Sequence, residues 1–412
     1  MSLIVQKYGG TSVGSVERIR NVAARAIAAQ KAGHRVVVTV SAMAGETNRL
    51  VALVEALTPS YNKREYDVVV SAGEQISIGL LAIAIEAQGH KARSYLGWQV
   101  RFLTDAVYSK ARIEEIEGAR ILKDLDDGYI VIVAGFQGVT AAGDVTTLGR
   151  GGSDTSAVAL AAALKADFCD IYTDVDGVYT TDPRIEPKAR KMDRISYDEM
   201  LEMASLGAKV LQTRSVELAK KYSVPVRVLS SLEEGTGTLL TVEDQIMEKV
   251  LVSAIASNNN DAKITIVGVP DSPGVAATIF GTLAGANINV DMIIQNVSAG
   301  HQTDMTFTVS KGDFKQTMDI LKDSVKTIGA KGVTGDTNIA KISAIGVGMR
   351  SHSGVAQKMF KALADERINI QMISTSEIKI SVVIDEKYTE LAVRTLHAAF
   401  DLDKERGDTV GG

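Results

Sequence analysis

Residues 146–155 combine flexibility, positive charge and a carboxylate in a pattern suited to binding an anion. The chemically distinctive residues are Gly149, Arg150, Gly151, Gly152, Ser153 and Asp154. Glycine lets the backbone turn sharply or approach a ligand, and Ser153 or Asp154 can cap a helix predicted for residues 156–165. Such a helix N-terminus presents free N–H groups to an anion, and Arg150 adds a planar fork for a carboxylate or phosphate. A tight turn before a capped helix, without any ligand, explains the same stretch equally well.

Two charged residues lie in apolar surroundings. Lys7 is in the apolar strand predicted for residues 3–8 and precedes Gly9 and Gly10. A lysine at a strand end is often a solvated surface residue, but beside two glycines at a predicted ligand edge it favours a phosphate contact. Glu74 lies in an apolar helical run, residues 68–85. A carboxylate there either faces solvent or points inward to meet an amine, and the sequence leaves both interpretations open.

A polar loop follows the strand predicted for residues 168–173. Its charged and aromatic residues are Asp174, Asp176, Tyr179, Asp182 and Arg184. No carboxylate stands at the downstream position that a calcium loop requires, so turn formation and nucleotide binding are the remaining interpretations. Lys209 lies at the start of a helix predicted for residues 208–222, where a cation opposes the helix dipole. That conflict suggests that Lys209 meets a phosphate group.

Alternating strands and helices position these residues. Apolar strands are predicted at residues 3–8, 35–41, 93–96, 129–134, 168–173 and 226–230, with helices between them. The pattern predicts an α/β fold with a mostly parallel sheet covered by helices on both faces. Ligands of such sheets gather at the carboxyl ends of the strands, where Lys7, Ser41 and Thr173 fall. Thr47 is predicted to cap the helix that follows the second strand.

The last third of the chain contains an internal repeat. Several residues of the first copy are identical to the residue 80 positions later in the chain. They are Gly274, Val275, Ala276, Ile288, Asn289, Met292 and Ile293. Each copy reads as a strand, a glycine turn, a helix and two further strands. This predicts tandem copies of one small α+β unit. The polar, glycine-containing stretch at residues 230–241 marks the end of the preceding domain.

Composition excludes several classes of protein. The chain has 412 residues, 45% of them hydrophobic, which allows two or three domains. The net charge of -5 gives no reason to expect a nucleic acid or an anionic membrane as a partner. The single cysteine, Cys169, suits a reducing cytosol, and the scattered histidines have no zinc spacing, so no metal site is predicted. No apolar run approaches the roughly 18 residues that span a bilayer, and no signal peptide is recognised. A soluble cytoplasmic protein is predicted.

Four motifs together resemble the aspartokinases. They are Lys7-Tyr8-Gly9-Gly10-Thr11-Ser12-Val13, Val40-Ser41-Ala42-Met43-Ala44-Gly45-Glu46-Thr47, Gly149-Arg150-Gly151-Gly152-Ser153-Asp154 and Thr173-Asp174-Val175-Asp176-Gly177-Val178-Tyr179. The resemblance covers nearly the whole chain, and the repeat is similar to the paired ACT regulatory domains of that family. It implies an amino-acid-kinase-type catalytic domain at residues 1–245, followed by ferredoxin-like α+β ACT domains at residues 246–340 and 341–412. It also implies a monofunctional enzyme that phosphorylates the side-chain carboxylate of L-aspartate with MgATP. The product, 4-phospho-L-aspartate, opens the lysine, threonine and methionine pathway.

The resemblance implies roles for individual residues. Lys7 and Asp154 form the expected catalytic centre. The expected aspartate-binding residues are Ser41, Thr47, Glu74, Arg150, Gly151, Gly152 and Ser153. The expected ATP-binding residues are Lys7, Tyr8, Gly9, Gly10, Thr173, Asp174, Tyr179, Arg184 and Lys209. Mg²⁺ is expected to arrive with ATP, without a metal site of the protein's own.

Regulation and assembly are implied by the ACT repeat. The expected effectors are the end products threonine and lysine. Their expected ligands are Ser272, Gly274, Asn289, Val290, Asp291 and Gln295 in the first copy, and Asn369, Ile370, Thr375 and Ser376 in the second. Gln371 replaces Asp291 and Ser353 replaces Pro273 in the second copy, so the two copies are expected to differ. Oligomerisation is expected through the ACT domains, either as a homo-oligomer or as an α2β2 assembly with a short subunit that starts at Met247.

Three other functions compete with this one. Another amino-acid kinase, such as a glutamate kinase, does not account for the first motif together with paired ACT copies. A non-catalytic amino-acid sensor needs none of the residues Lys7, Glu74, Arg150, Asp154 and Lys209. A dinucleotide oxidoreductase needs a fingerprint glycine turn after its first strand, which this sequence lacks.

Overall fold

The structure is a computed structural model that describes residues 2–207, 210–242, 251–296, 302–351 and 354–404. These residues form two compact units. The first contains residues 2–178, 191–205 and 210–242, and the second contains residues 179–190, 206–207 and 251–404. The catalytic domain predicted as one continuous stretch, residues 1–245, is therefore interrupted. Residues 179–190 pack within the second unit.

Eight strands form the central sheet of the first unit. Numbered along the chain, they are β1 (Leu3–Tyr8), β2 (Arg35–Val40), β3 (Ala92–Tyr95), β6 (Ile130–Ala134), β9 (Phe168–Thr173), β10 (Arg194–Ser196), β11 (Val226–Ser230) and β12 (Thr238–Thr241). Their order across the sheet is β10-β12-β11-β9-β1-β2-β6-β3. Every neighbouring pair is parallel except β11 and β12. The predicted, mostly parallel sheet is confirmed. Its inner strands are apolar, β-branched runs that suit a sheet buried on both faces.

Helices cover both faces of this sheet, as predicted. Those of the first unit are α1 (Val16–Lys31), α2 (Glu46–Leu57), α3 (Lys63–Val70), α4 (Ala72–Glu86), α5 (Ala119–Asp126), α6 (Gly152–Leu164), α7 (Tyr197–Ser205) and α8 (Thr213–Tyr222). Neighbouring residues of a strand point to opposite faces. In β1, Tyr8 joins an apolar cluster with Ile19 of α1 and Leu81 of α4. Lys7 points to the other face and reaches Asp154 of α6.

A second, smaller sheet in the first unit is not apparent from the sequence. Its strands are β4 (Phe102–Thr104), β5 (Ile113–Ile116), β7 (Gln137–Val139) and β8 (Val145–Thr147). Their order is β5-β4-β7-β8. The strands are only three or four residues long, and β5 reads Ile-Glu-Glu-Ile, so no extended periodic pattern indicates them. The sheet bears on the site because β8 leads directly into the glycine loop.

The second unit contains two four-stranded antiparallel sheets, each with helices, and confirms the predicted pair of α+β repeats. The elements of the first repeat are β14 (Asp261–Pro270), α9 (Val275–Gly285), β15 (Val290–Gln295), β16 (Gln302–Ser310), α10 (Phe314–Ile328) and β17 (Gly332–Asp336). Those of the second are β13 (Ala254–Asn258), β18 (Ile339–Ile345), α11 (Val355–Asp365), β19 (Met372–Thr375), β20 (Lys379–Asp385) and α12 (Thr389–Ala399). The strand orders are β15-β16-β14-β17 and β13-β18-β20-β19.

The predicted boundary between the two repeats is wrong in one respect. Strand β13 falls in the range predicted for the first repeat, residues 246–340, but it pairs with β18 of the second sheet, with Ala254 opposite Ile345. The first repeat is therefore inserted between the first and second strands of the other sheet. Strand pairing joins residues that are distant in the sequence, so no local pattern marks such an insertion.

Equivalent residues of the two repeats have equivalent structures. Gly274 and Gly354 precede α9 and α11 with φ of +94° and +99°, in the left-handed region that glycine tolerates. Met292 and Met372 also occupy equivalent positions, and both lie in one apolar cluster where the repeats meet. The repeat seen in the sequence is thus also a structural repeat within the second unit.

Residues 179–190 are held in the second unit by specific contacts. Ile255 N of β13 donates a hydrogen bond to Thr180 O over 2.8 Å. Thr180 Oγ1 lies 2.9 Å from the buried His397 Nε2 of α12, and Arg394 Nε donates to Ile185 O over 2.8 Å. Ile185 also packs against the apolar core of the second repeat. These contacts explain why this segment leaves the unit to which its neighbours in the sequence belong.

The helical stretch Lys63–Glu86, which includes α3 and α4, is long and apolar enough by length and composition to cross a membrane. The expectation that no apolar stretch reaches that length is therefore wrong. Ile78, Leu81 and Ile85 of this stretch pack in the apolar cluster with α1 and the central sheet. The apolar character is explained by burial in the core of the first unit.

Candidate active site

The carboxyl ends of four parallel strands meet at one edge of the central sheet. Tyr8 of β1 is level with Val40 of β2 and with Tyr172 of β9. Val40 is in turn level with Ala134 of β6. The loops that follow these strands therefore start side by side, which is where ligands of parallel α/β sheets bind.

An ion pair joins β1 to α6 at this edge. Lys7 Nζ lies 2.6 Å from Asp154 Oδ1, and each side chain is 11% exposed. The lysine side chain folds over Gly9, where an added Cβ would lie 3.5 Å from Nζ. An ammonium group has three donors, so an anion that enters the edge can share Lys7 with Asp154.

Close backbone contacts shape the glycine loop between β8 and α6. Gly149 and Gly151 have φ of +80° and +69°, in the left-handed region. A Cβ on Gly151 would lie 1.8 Å from Cγ of Gln212. A Cβ on Gly152 would lie 2.9 Å from Cδ2 of Phe136. Larger residues at these positions would push the loop away from its neighbours.

Helix α6 begins earlier than the sequence indicates. It starts at Gly152, and Gly151 is its N-cap without a side-chain capping bond. The prediction that Ser153 or Asp154 caps a helix over residues 156–165 is therefore wrong, because both lie inside the first turn. Asp154 is thus available to pair with Lys7 instead of capping the helix.

The loops after β1 and β2 pack directly against each other. A Cβ on Gly10 would lie 2.7 Å from Ala42 O, and Ala44 N donates to Gly10 O over 3.1 Å. Ser41 N donates to Tyr8 O, also over 3.1 Å. Only glycine at position 10 permits this approach, so the two motifs form one continuous wall of the site.

Glu74 is buried beside the loop after β2. It lies in the first turn of α4, is 2% exposed, and its Oε1 accepts a hydrogen bond from Ala42 N over 3.0 Å. The other oxygen, Oε2, is buried and has no hydrogen-bond partner among the described residues. Burial raises the pKa of Glu74 to about 7. The inward orientation is therefore the correct one of the two interpretations, and it leaves an acceptor that a ligand ammonium can fill.

The other expected aspartate ligands differ in burial. Ser41 is half-buried directly after β2. Thr47 lies in the first turn of α2, whose N-cap is Gly45, so the prediction that Thr47 caps this helix is wrong. Arg150 is exposed on the glycine loop. The strand that leads into this loop, β8, packs against α3.

The structure divides the expected nucleotide loop between the two units. Thr173 ends β9 at the sheet edge, and its Oγ1 donates to Asp174 Oδ1 over 3.1 Å. Tyr179 and Arg184 belong to the second unit, where Arg184 pairs with Asp182 over 2.6 Å. The expected ligand Lys209 and the expected start site Met247 lie outside the described residues. The helix predicted for residues 208–222 is observed from Thr213 as α8.

No protein metal centre is formed by the described residues. Within them, three His, Cys, Asp or Glu side chains do not come together at any point that could hold an ion. At the sheet edge, Asp154 is the carboxylate that faces Lys7. One carboxylate fits a Mg²⁺ ion that is held mainly by nucleotide phosphates and water.

Two buried hydroxyl groups at the sheet edge are absent from the expected ligands. Ser12 Oγ and Thr39 Oγ1 are buried without a hydrogen-bond partner in the described part of the chain. Thr39 is level with Lys7 in the neighbouring strand, so both point to the α6 face. The signal in the sequence is a lone hydroxyl in an otherwise apolar inner stretch of β2, Val-Val-Val-Thr-Val.

A separate pocket lies in the first repeat of the second unit. It has a volume of about 370 Å³ and is lined by residues of β14, the glycine turn, α9, β15 and β16. Ser272, Gly274 and Gln295, three of the expected effector ligands, are among its lining residues. Asn289, Val290 and Asp291 are not among them. The structure therefore brings together only part of the expected set.

Asp291 takes part in a contact between the two repeats. It pairs with the buried Lys341 of β18, whose ammonium also lies 2.9 Å from Asp261. Gln371, the equivalent of Asp291 in the second repeat, accepts a hydrogen bond from Lys263 of β14. Each repeat thus uses this position to contact a lysine on the other. This explains why Asp291 lies apart from the pocket.

The expected effector ligands of the second repeat are dispersed. Asn369 is exposed, whereas Ile370 packs against the apolar core of that repeat. Thr375 is exposed at the end of β19, and Ser376 N donates to Lys379 O over 2.8 Å in the following turn.

Comparison with known proteins identifies the family. Residues 2–230 match the amino acid kinase family, and residues 264–325 and 342–400 match the ACT domain. An aspartokinase of Pseudomonas aeruginosa is 60% identical over 405 residues, which are 98% of this chain and 98% of that protein. The crystal structure of E. coli aspartokinase III with aspartate and ADP, in the R-state, has a TM-score of 0.80 at 28% identity. It covers 96% of this chain and 99% of that chain.

A second E. coli aspartokinase III structure, with lysine and aspartate in the T-state, has a TM-score of 0.76 at 29% identity. It covers 97% of this chain and 99% of that chain. These similarities extend over both the central-sheet unit and the repeats, and the motifs that shape the sheet edge lie within them. With its amino acid kinase domain and two ACT domains, this chain belongs to the aspartate kinase family.

Proposed function

We propose that this kinase phosphorylates the side-chain carboxylate of L-aspartate at the carboxyl edge of its central sheet. MgATP is the donor, and the products are 4-phospho-L-aspartate and ADP. The reaction opens the lysine, threonine and methionine pathway and takes place in the cytoplasm. The observation that carries the proposal is the buried Oε2 of Glu74, an acceptor to which no described residue donates, at the edge that also holds the Lys7–Asp154 ion pair. The E. coli relative binds aspartate and ADP, which supports the same pair of ligands here.

The acceptor needs no general base. The side-chain carboxyl of free aspartate has a pKa of about 4, so it is ionised at neutral pH and attacks directly. The obstacle is that an anionic acceptor must approach an anionic phosphoryl group. The site must therefore supply alignment and positive charge instead of proton transfer.

Lys7 supplies positive charge to the phosphates. Its ammonium is mostly buried, and charge acts more strongly there than in water. Asp154 holds the ammonium at the N-terminal end of α6, so the lysine is in place before the nucleotide binds. The backbone of Gly9 and Gly10 lies alongside the phosphates, and Tyr8 anchors that loop. Lys209 adds a second cation.

The remaining nucleotide contacts lie after β9. Thr173 and Asp174 contact the nucleotide at the strand end. Mg²⁺ bound to the phosphates neutralises part of their charge during transfer.

Aspartate is held at its α-carbon by opposite charges. Glu74 pairs with the ammonium through its unfilled Oε2, and Arg150 forms a fork with the α-carboxylate. Ser41 and Thr47 orient the substrate, and the glycine-loop residues Gly151, Gly152 and Ser153 approach it through their backbone. This leaves the side-chain carboxylate directed to the phosphoryl donor.

Feedback control acts through the ACT repeats. The pocket formed by Ser272, Gly274 and Gln295 has room for a free amino acid, and the side-chain amide of Gln295 offers both a donor and an acceptor. Threonine and lysine are the proposed effectors, and the lysine complex of the E. coli relative in its T-state supports lysine. Inhibition then reflects tighter effector binding to the inactive state.

Self-association through the ACT domains is supported by two exposed isoleucines. Ile293 of β15 is 52% exposed and Ile373 of β19 is 44% exposed, at equivalent positions on edge strands of the two sheets. Edge strands with exposed apolar side chains are natural association surfaces. An accompanying short subunit that starts at Met247 remains part of this proposal.

The first prediction concerns Lys7. Lys7→Ala should lower kcat by about 100-fold or more, because the charge that stabilises the transferring group is lost. Aspartate-dependent ADP release measures this, with circular dichroism as the test of folding. Lys123→Ala, on the exposed side of α5, is the matched control and should keep wild-type kcat. A folded Lys7→Ala enzyme with unchanged kcat contradicts the assignment.

The second prediction concerns the pH dependence of aspartate binding. The pKa of Glu74 is raised to about 7, so the carboxyl is neutral below that pH and ionised above it. Only the ionised form pairs with the substrate ammonium. The KM for aspartate should therefore rise as the pH falls from about 8 to about 6, approaching tenfold per pH unit at the acid end. Glu74→Gln should have a high KM without this dependence. A wild-type profile that is flat over this range argues against Glu74 as the ammonium ligand.

The third prediction concerns the effector pocket. Gln295→Ala should raise the lysine plus threonine concentration for half-inhibition by about tenfold, within the usual range of allosteric coupling, while uninhibited kcat stays unchanged. Thr375→Ala changes the equivalent position of the second repeat and tests whether that repeat contributes to inhibition. If only Thr375→Ala relieves inhibition, the first repeat is not the regulatory site.

The fourth prediction concerns assembly. The double variant Ile293→Lys, Ile373→Lys should have a lower molar mass by light scattering than the wild type, because charge is placed on both association surfaces. Ile83→Lys is the control, since Ile83 is 64% exposed in the first unit. An equal mass for the wild type and the double variant refutes association through these strands.

A further inference from the structure

Asp67 is a buried carboxylate that none of the proposed substrate contacts uses. It lies in α3 and is 0% exposed. Its Oδ2 accepts hydrogen bonds from Ser109 N over 2.9 Å and from Thr147 N over 2.8 Å, and its Oδ1 accepts one from Thr147 Oγ1 over 2.7 Å. Burial raises the pKa of Asp67, and these donors act against that rise. Three donors from two separate segments thus converge on one carboxyl group.

The segments that Asp67 joins form the base of the glycine loop. Thr147 is the last residue of β8, three residues before Arg150. Its backbone is fixed on both sides, because Asp67 accepts from its N–H and Ala111 N donates to its carbonyl over 3.0 Å. The loop also rests on Ser109, since a Cβ on Gly149 would lie 3.0 Å from Ser109 O. The position of Arg150 is therefore set by segments that Asp67 holds together.

The same carboxylate links this loop to Glu74. Helix α3, which carries Asp67, is followed after Ser71 by α4, which carries Glu74 in its first turn. A second bond from α3 supports the link at its exposed end, where Arg64 Nε donates to Asp144 Oδ1, just before β8, over 2.8 Å. Helix α3 also packs directly against β8, the strand that leads into the loop. Asp67 is thus the buried connection between the two groups proposed to hold the α-carboxylate and the ammonium of aspartate.

We propose that Asp67 is a positioning residue that sets the separation between Arg150 and Glu74 and so tunes the site for the α-amino-acid end of the substrate. It does not touch the substrate. The inference rests on the proposed roles of Arg150 and Glu74. An amide in place of the carboxylate keeps the size of the side chain but turns an N–H group toward one of the donors, so the glycine loop must shift. Small shifts of a positioning group reduce productive binding strongly.

The experiment compares Asp67→Asn with a matched loss of a buried carboxylate elsewhere. Asp124 of α5 is 3% exposed and pairs with Arg93 over 2.6 Å, away from the glycine loop. Asp67→Asn should raise the KM for aspartate by about tenfold or more, whereas the KM for ATP and kcat at saturating aspartate should change little. Thr147→Val, which removes one of the three bonds, should raise the aspartate KM by a smaller factor. Asp124→Asn should reduce stability, followed by the fluorescence of Trp98, but leave the aspartate KM unchanged.

Arg150→Ala separates the two proposals. If Arg150→Ala leaves the aspartate KM unchanged, the proposed role of Arg150 fails whatever Asp67→Asn does. If Arg150→Ala raises that KM and Asp67→Asn does not, the positioning role alone is wrong. In the Arg150→Ala background, Asp67→Asn should add far less than its separate effect, because both act on the same contact. Equal rises in the KM values for aspartate and ATP would indicate general loosening and overturn the inference. Should Asp67→Asn fail to fold, Thr147→Val decides by the same criteria.

Discussion

The ion pair between Lys7 and Asp154 is the contact on which the catalytic edge depends. It connects β1 in the middle of the sheet to the first turn of α6, across a face opposite to the one packed by α1 and α4. Each charge is mostly buried, so each needs the other for as long as no ligand is bound. A kinase that joins two anions requires a cation fixed in advance, and a buried partner is a physical means of fixing one. The pair therefore holds Lys7 at a fixed place on the sheet edge, as its proposed role in the reaction requires.

Close backbone packing makes the rest of this edge rigid. A Cβ on Gly135, after β6, would lie 2.8 Å from the Ser153 side chain and 3.0 Å from Val40 O. The similar constraint at Gly10 brings the loops after β1 and β2 into contact. Loops from three strands and a helix are thus held at van der Waals distance of one another. When the parts of a site cannot move independently, the protein needs little rearrangement on substrate binding.

The two ACT repeats make the same kind of contact at equivalent positions. Asp291 and Gln371 are equivalent, and each contacts a lysine of the other repeat, Lys341 of β18 and Lys263 of β14. Both repeats keep the contact with a lysine, but the partner of the lysine is a carboxylate in the first repeat and a neutral amide in the second. The first repeat lies in the sequence between β13 and β18, and each repeat has its own apolar core. A smaller cluster that contains Met292 and Met372 joins the two.

The sequence by itself determined those features that depend on residues close together in the chain. The apolar runs of β1, β9 and β11 and the periodicity of α1 indicate their positions, because strand and helix periods are read from neighbouring residues. The glycine motifs indicate the sheet edge, and the residues shared at an offset of 80 indicate the repeat. The resemblance of these motifs and of the repeat to the aspartokinases predicts an aspartate kinase with paired ACT domains, because motif and repeat can be compared along the chain.

Only the tertiary structure decided what depends on contacts between distant residues. The membership of β13 in the second ACT sheet, the transfer of residues 179–190 to the second unit and the short strands around β8 follow from pairing that no local pattern records. The inward orientation of Glu74 needed the loop of Ala42 beside it, and the burial of Asp67 needed Ser109 and Thr147. A carboxylate in an apolar run looks the same in sequence whether it faces water or a buried donor. The donors, supplied from 32 to 80 residues away, make the difference.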